Sequence, residues 1–166
     1  MMTKTVNSLL AAFFLLLGVA GCSSTQQVTL ARQSINHDVK TVFHVRSEND
    51  SSDMDKNLDL AIQHAGLQLK GVLPAGTVQS DKADALISYY DVWRWDLVMY
   101  LKSVRINLFD AKSGDLLVTG SWDNSALHSF PNSTKIVDDL VHSMLEKIHA
   151  AQTTGQAAGK ETARAN

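Results

Sequence analysis

Cysteine is almost absent from this 166-residue chain, which has only Cys22. One thiol excludes an internal disulfide and any cysteine-built metal cage. Clustered positive charge is missing as well. The formal net charge is −2, it becomes −3 if Lys4 leaves with a leader, and no basic stripe stands out, so nucleic acid is not an expected partner. No apolar run reaches the ~20 residues that a bilayer-spanning helix needs; the run from Leu9 to Ala20 stops at 12. The signatures of common enzymes are lacking too: no Gly-rich phosphate loop, no Gly-x-Ser-x-Gly elbow, no Ser-x-x-Lys, no HExxH. Six histidines are present, but none pairs at the i, i+4 spacing of a helical zinc site. The expectation is therefore a chain without metal, cofactor or enzymatic activity.

What is present begins at the amino terminus. Lys4, the apolar run and the small residues before Cys22 have the layout of a secretory leader. The four residues Val19-Ala20-Gly21-Cys22 resemble a bacterial lipobox. That resemblance implies cleavage before Cys22, acylation of its thiol, and attachment of the protein to the membrane through the lipid. Ser23 and Ser24, rather than Asp, follow the cysteine. In the enterobacterial pattern this implies export to the outer membrane, facing the periplasm.

The domain organisation expected from composition is a signal peptide over 1–21, a lipidated cysteine and tether over 22–38, in which Val28 to Ala31 is either a short strand or part of the tether, a folded domain over 39–149 and a disordered tail over 150–166. Within the folded part, Lys40 to Arg46 alternates as a strand whose Thr41, Phe43 and Val45 side would face a core. A helix is expected from about Asp53 to Ala65, opened by a Ser52…Asp55 capping box and closed by Gly66. Leu67 to Val72 suggests a second strand. Three further β-type runs follow between Ala85 and Asn124, with Gly120 marking a bulge. A last helix carries an apolar stripe of Ile136, Val137, Leu140, Val141, Met144, Leu145 and Ile148. The fold class is α+β: a mostly antiparallel sheet of about five strands with two amphipathic helices packed on one face. This order, with Ala83-Asp84-Ala85-Leu86-Ile87 leading into the central strand and an Asp-x-x-x-Gly hairpin, is similar to a group of small bacterial outer-membrane lipoproteins. They share their architecture with the penicillin-binding-protein activator LpoB and the amino-terminal domain of TolB.

All three tryptophans and all three tyrosines lie between Tyr89 and Trp122. Ile87, Tyr89, Trp93 and Trp95 share one strand parity, and Leu86, Tyr90 and Val92 the other, so this strand is apolar on both faces. Two helices cover one face. The other reading of the rings, that they fill the core and its margin, stands beside a contact surface made of Tyr89, Asp91, Trp93, Arg94 and Trp95, with the tryptophans as anchors and Asp91 and Arg94 at the rim. Asp91 and Asp96 flank the tryptophans in the layout of a glycosidase pair, yet opposite parity sends them to opposite faces. A hydrogen-bonded Asp91, with Arg94 as partner, is the plainer reading. The function expected is a non-enzymatic binding or adaptor module in the envelope, with an envelope protein or a second copy of the chain as partner. The alternatives are an envelope glycan hydrolase and a structural lipoprotein that self-associates.

Overall fold

The computed structural model describes residues 24–31, 38–47, 51–125 and 130–164, the side chains as far as 153. Among these, six strands and two helices follow in the order β1 (Thr25–Leu30), β2 (Thr41–Val45), α1 (Ser52–His64), β3 (Gln68–Leu73), β4 (Ala85–Asp96), β5 (Val98–Asp110), β6 (Leu116–Asp123) and α2 (Ser133–Arg164). The strands form one sheet in the order β1-β6-β5-β4-β2-β3. The α+β class holds, with two corrections: the sheet has six strands rather than about five, and it is mixed. β2 runs parallel to both β3 and β4, whereas the β1–β6, β6–β5 and β5–β4 pairs are antiparallel. The parallel pairs follow from α1, which returns the chain along the sheet, so that β3 must run in the same sense as β2.

The sixth strand comes from the segment expected to be a tether. β1 pairs in register from Thr25 against Asp123 to Leu30 against Val118. The segment has little apolar content, but Val28 and Leu30 face α2 and pack on the core, and the edge of β6 supplies hydrogen bonds that composition does not reveal.

Both helices lie on one face. Met54, Leu58, Ala61 and Ile62 of α1 and Val137, Leu140, Val141, Met144 and Ile148 of α2 meet Ile87, Tyr89, Val104, Ile106, Leu108 and Val118 of the sheet. Gly120 belongs to this interface and not to a bulge. It pairs regularly with Ile106, and the β5–β6 register shift lies instead between Leu108 and Phe109. A β-carbon at Gly120 would stand 2.7 Å from Met144 Sδ and 3.2 Å from Leu140 Cδ2, so the missing side chain is what lets α2 sit this close.

β2 corrects another expectation. Its Val42 and His44 face the helices, while Phe43 and Val45 turn to the opposite face and join Leu73, Leu86, Phe109 and Ala111 in a small second cluster. A strand covered on both sides loses the alternation that parity reading relies on. Asp84, in the expected lead into β4, fixes the two strands together: its Oδ2 accepts from the backbone N–H of Lys40 (3.0 Å) and Thr41 (2.8 Å) and from the Thr41 hydroxyl (2.8 Å).

The helix ends differ in detail. Ser51, one residue earlier than expected, is the N-cap of α1 and its side chain accepts from the Met54 N–H, while Gly66 takes the expected left-handed conformation at φ 78°. α2 passes through the segment expected to be a disordered tail and continues to Arg164. Ala150, Ala151, Ala157, Ala158 and Ala163 supply helix propensity there without any apolar stripe. Among the described residues no helix is long and apolar enough to cross a membrane.

Candidate functional site

β4 and β5 are the two longest strands, and they outrun their neighbours. β6 ends where Asp123 faces Ser103, β1 begins where Thr25 faces Asp123, and β2 accompanies β4 only from Ala85 to Ile87. Asn124 extends the cover by one step. Its N–H donates to the Lys102 carbonyl (2.9 Å), its side chain to the Leu101 carbonyl (3.3 Å), and Lys102 Nζ donates back to the Asn124 carbonyl (2.9 Å). Beyond that point, among the described residues, β4 and β5 pair only with each other as a two-stranded ribbon: Trp93 faces Leu101, Arg94 faces Tyr100, Trp95 faces Met99 and Asp96 faces Val98. Leu97 makes the turn at φ 59°, the left-handed region that costs a non-glycine residue about 1–2 kcal/mol.

The base of the ribbon still belongs to the core: Leu101 is fully buried and Trp93 packs against the core margin. The N-cap of α1, Ser51, donates its hydroxyl to Asp91 Oδ2 (3.2 Å), so α1 starts level with Asp91. The five residues of the expected contact surface are therefore not brought together. Tyr89 is 3% exposed and lies wholly under α1. Its hydroxyl donates to Asp55 Oδ1 (2.9 Å) and to the Ser51 carbonyl (3.1 Å). Asp91 also sits beneath the start of α1 and accepts from Trp93 Nε1 (2.5 Å). Trp93 is half-buried against the core margin. Arg94 is exposed on the other face of β4, so Ser51 and Trp93 hold Asp91 where Arg94 was expected. Only Trp95, 72% exposed, stands clear. Asp96 falls on the face opposite Asp91, and the two carboxylates do not share a cleft. Cys22 lies outside the described residues.

Sequence reading missed the rest of this surface. Leu97 is 83% exposed and Val98 and Met99 are about half exposed, while Phe130 sets its ring edge-on to the buried Tyr100 at 6.1 Å. The signal was there: the turn reads Trp-Asp-Leu-Val-Met, with none of the Gly or Asn that a tight hairpin ordinarily uses.

A second feature was also missed. His44, 1% exposed, places Nδ1 3.3 Å from Asp59 Oδ1 and Nε2 3.7 Å from Asp55 Oδ1, with its ring tilted against Tyr89 at 5.8 Å. Arg46 Nε approaches the other Asp55 oxygen at 3.8 Å. This network ties α1 to β2 and β4; the two His44 ring nitrogens and Asp59 Oδ1 are enclosed beneath the helix, while the Arg46 side chain is exposed. On the opposite face a small apolar cavity of about 100 Å³ lies between Val45, Leu86 and Phe109 and the covering loop at Thr77 and Val78. Among the described residues no group of three or more His, Cys, Asp or Glu side chains is placed to hold a metal ion.

No protein-family model matches the chain and no curated protein matches it in sequence. Among solved structures it is similar to the PelC dodecamer of Paraburkholderia phytofirmans, at 14% identity and TM-score 0.51 over 75% of this chain and 96% of that one. TolB of Acinetobacter baumannii gives 13% identity and TM-score 0.41 over 78% of this chain and 32% of that one. A minor lipoprotein from the same organism gives 12% identity and TM-score 0.33 over 68% and 94%. At this level of identity the likeness to PelC is one of fold.

Proposed function

We propose that the chain is a lipoprotein of the bacterial envelope, anchored through acylated Cys22 at the outer membrane and facing the periplasm, where it acts as a non-enzymatic binding or adaptor module. The contact surface in this reading is the tip of the β4–β5 ribbon around Trp95. The observation that carries the reading is the joining of a lipobox to the fold. Val19-Ala20-Gly21-Cys22 ends three residues before Thr25, the first residue of β1. An acyl group on Cys22 would then hold the sheet close to the bilayer, and acyl chains contribute about 0.8 kcal/mol per buried CH₂.

Self-association is a second reading, favoured by one observation: the PelC structure whose fold this chain shares is a dodecamer. The test of the first reading is intact-mass measurement of the protein from the membrane fraction. The leader should be missing and acyl mass added, and Cys22→Ala should leave an unprocessed or soluble precursor. A mature protein found soluble and unmodified overturns the anchored reading.

A further inference from the structure

The sheet register fixes which end of the domain the proposed anchor leaves from. Thr25 pairs with Asp123, Asp123 with Ser103, and Ser103 with Val92, so these four residues lie on one line across the sheet. β1 starts on that line and runs away from the ribbon, so its amino-terminal end lies at the ribbon's end of the sheet. Cys22 is three residues from Thr25, at most ~11 Å of extended chain. From Val92 to Leu97 the ribbon extends five residues, or ~17 Å, beyond the same line. The ribbon therefore reaches further than the tether can. With the strands upright on the bilayer and the acyl chains inserted, the tip cannot stay out of the interface.

The chemistry of the tip fits that position. Trp95, Leu97, Val98 and Met99 are exposed and apolar. Tryptophan favours the headgroup level of a membrane, where its ring is shielded and its N–H stays hydrated. Arg94 sits exposed on the ribbon behind the tip, within reach of lipid phosphates, while Asp96 pairs with Val98 next to the turn, on the face of Arg94 and away from that of Trp95. Both helices run away from this end. Gln26 bonds Ser143 and Lys147 bonds the Val28 carbonyl, so α2 follows β1 in the same sense and leaves past Leu30.

We infer that the β4–β5 tip is a membrane-interface wedge, a second attachment point that sets the domain upright on the leaflet holding its lipid. The inference rests on the anchored reading and names the partner of the same surface as lipid. A probe is available because acylation consumes the thiol of Cys22, so a new cysteine would be the one free thiol of the mature chain. The lipidated protein carrying Leu97→Cys, or Met99→Cys as a second site, is labelled with an environment-sensitive fluorophore and reconstituted into phosphatidylethanolamine–phosphatidylglycerol vesicles. The reference is Asp115→Cys, in the β5–β6 turn at the opposite end.

The expected result is a blue shift at positions 97 and 99 with loss of fluorescence to lipids brominated near the headgroup, and no change at 115. If the protein floats with the vesicles but all three probes remain in water, the wedge is refuted while the anchored reading stands. A shift at 97 that grows with protein density in the vesicle, not with lipid, assigns the tip to contact between copies and also refutes it. A protein without acyl mass that fails to float overturns both.

Discussion

Gly120→Ala tests whether the helix layer is set by one close approach. Gly120 lies in the middle of β6 under α2, and the added methyl would meet Met144 Sδ at 2.7 Å, Met144 Cγ at 3.1 Å and Leu140 Cδ2 at 3.2 Å. Met144 is 1% exposed and Leu140 fully buried, so neither can swing into solvent. Overpacking of this kind costs about 1–3 kcal/mol, offset by about 0.4–1 kcal/mol from the reduced freedom of the unfolded chain. A net loss of about 1–2 kcal/mol should lower the thermal midpoint by several degrees. Shortening the neighbour should relieve the clash. Met144→Ala alone should cost about 2–5 kcal/mol, but the double variant should cost less than the sum by about 0.5–3 kcal/mol, as expected of residues in contact. Urea unfolding of the four proteins gives the coupling. Costs that add within about 0.5 kcal/mol, or a Gly120→Ala protein more stable than the parent, would refute the argument and leave the glycine without a packing role.

Leu140→Ala, deep between α2 and the sheet, should cost about 2–5 kcal/mol in the same assay. Tyr89→Phe removes a donor from the Asp55 carboxylate and should cost about 1.5–3 kcal/mol, because hydrogen bonds to charged groups sit at that level. Trp95→Ala should change stability by no more than about 0.5 kcal/mol, as for other surface positions; a protein that unfolds instead would put the ring in the core. Leu97→Asn relieves a left-handed leucine and should raise the midpoint slightly, while weakening whatever the tip contacts.

Much of the fold was legible because its longest elements repeat cleanly. Val104, Ile106 and Leu108 alternate with Ser103, Arg105 and Asn107 because β5 has helices on one face and water on much of the other. The stripe of α2 from Ile136 to Ile148 is continuous because that helix lies flat on the sheet. β1 and β2 were read poorly for opposite reasons. β1 is an edge strand of mostly exposed polar residues, held by backbone pairing with β6, and pairing leaves no mark on composition. β2 is covered on both faces, so the polar residue in its pattern, His44, was placed on the wet side when Asp55, Asp59 and Tyr89 enclose it.

The candidate site shows what parity can and cannot decide. Parity put Tyr89, Trp93 and Trp95 on one face, and the register agrees. It carried no information on where along that face the cover stops. That boundary depends on where α1 begins, and α1 begins after Ser51 because that hydroxyl caps the helix and also reaches Asp91. One strand of constant character is thus divided by a single capping residue into a buried tyrosine, a half-buried tryptophan and an exposed one. Ser51→Ala should therefore act at both places: it should cost about 1 kcal/mol through the lost cap and free Asp91 and the Trp93 ring at the margin. Tryptophan fluorescence in the folded state reads the second effect. A shift in the folded-state spectrum of Ser51→Ala that persists when Trp95→Phe is added and vanishes when Trp93→Phe is added would locate the change at Trp93. A spectrum identical to the parent would show that the end of the cover is set by the packing of α1 as a whole and not by its first residue.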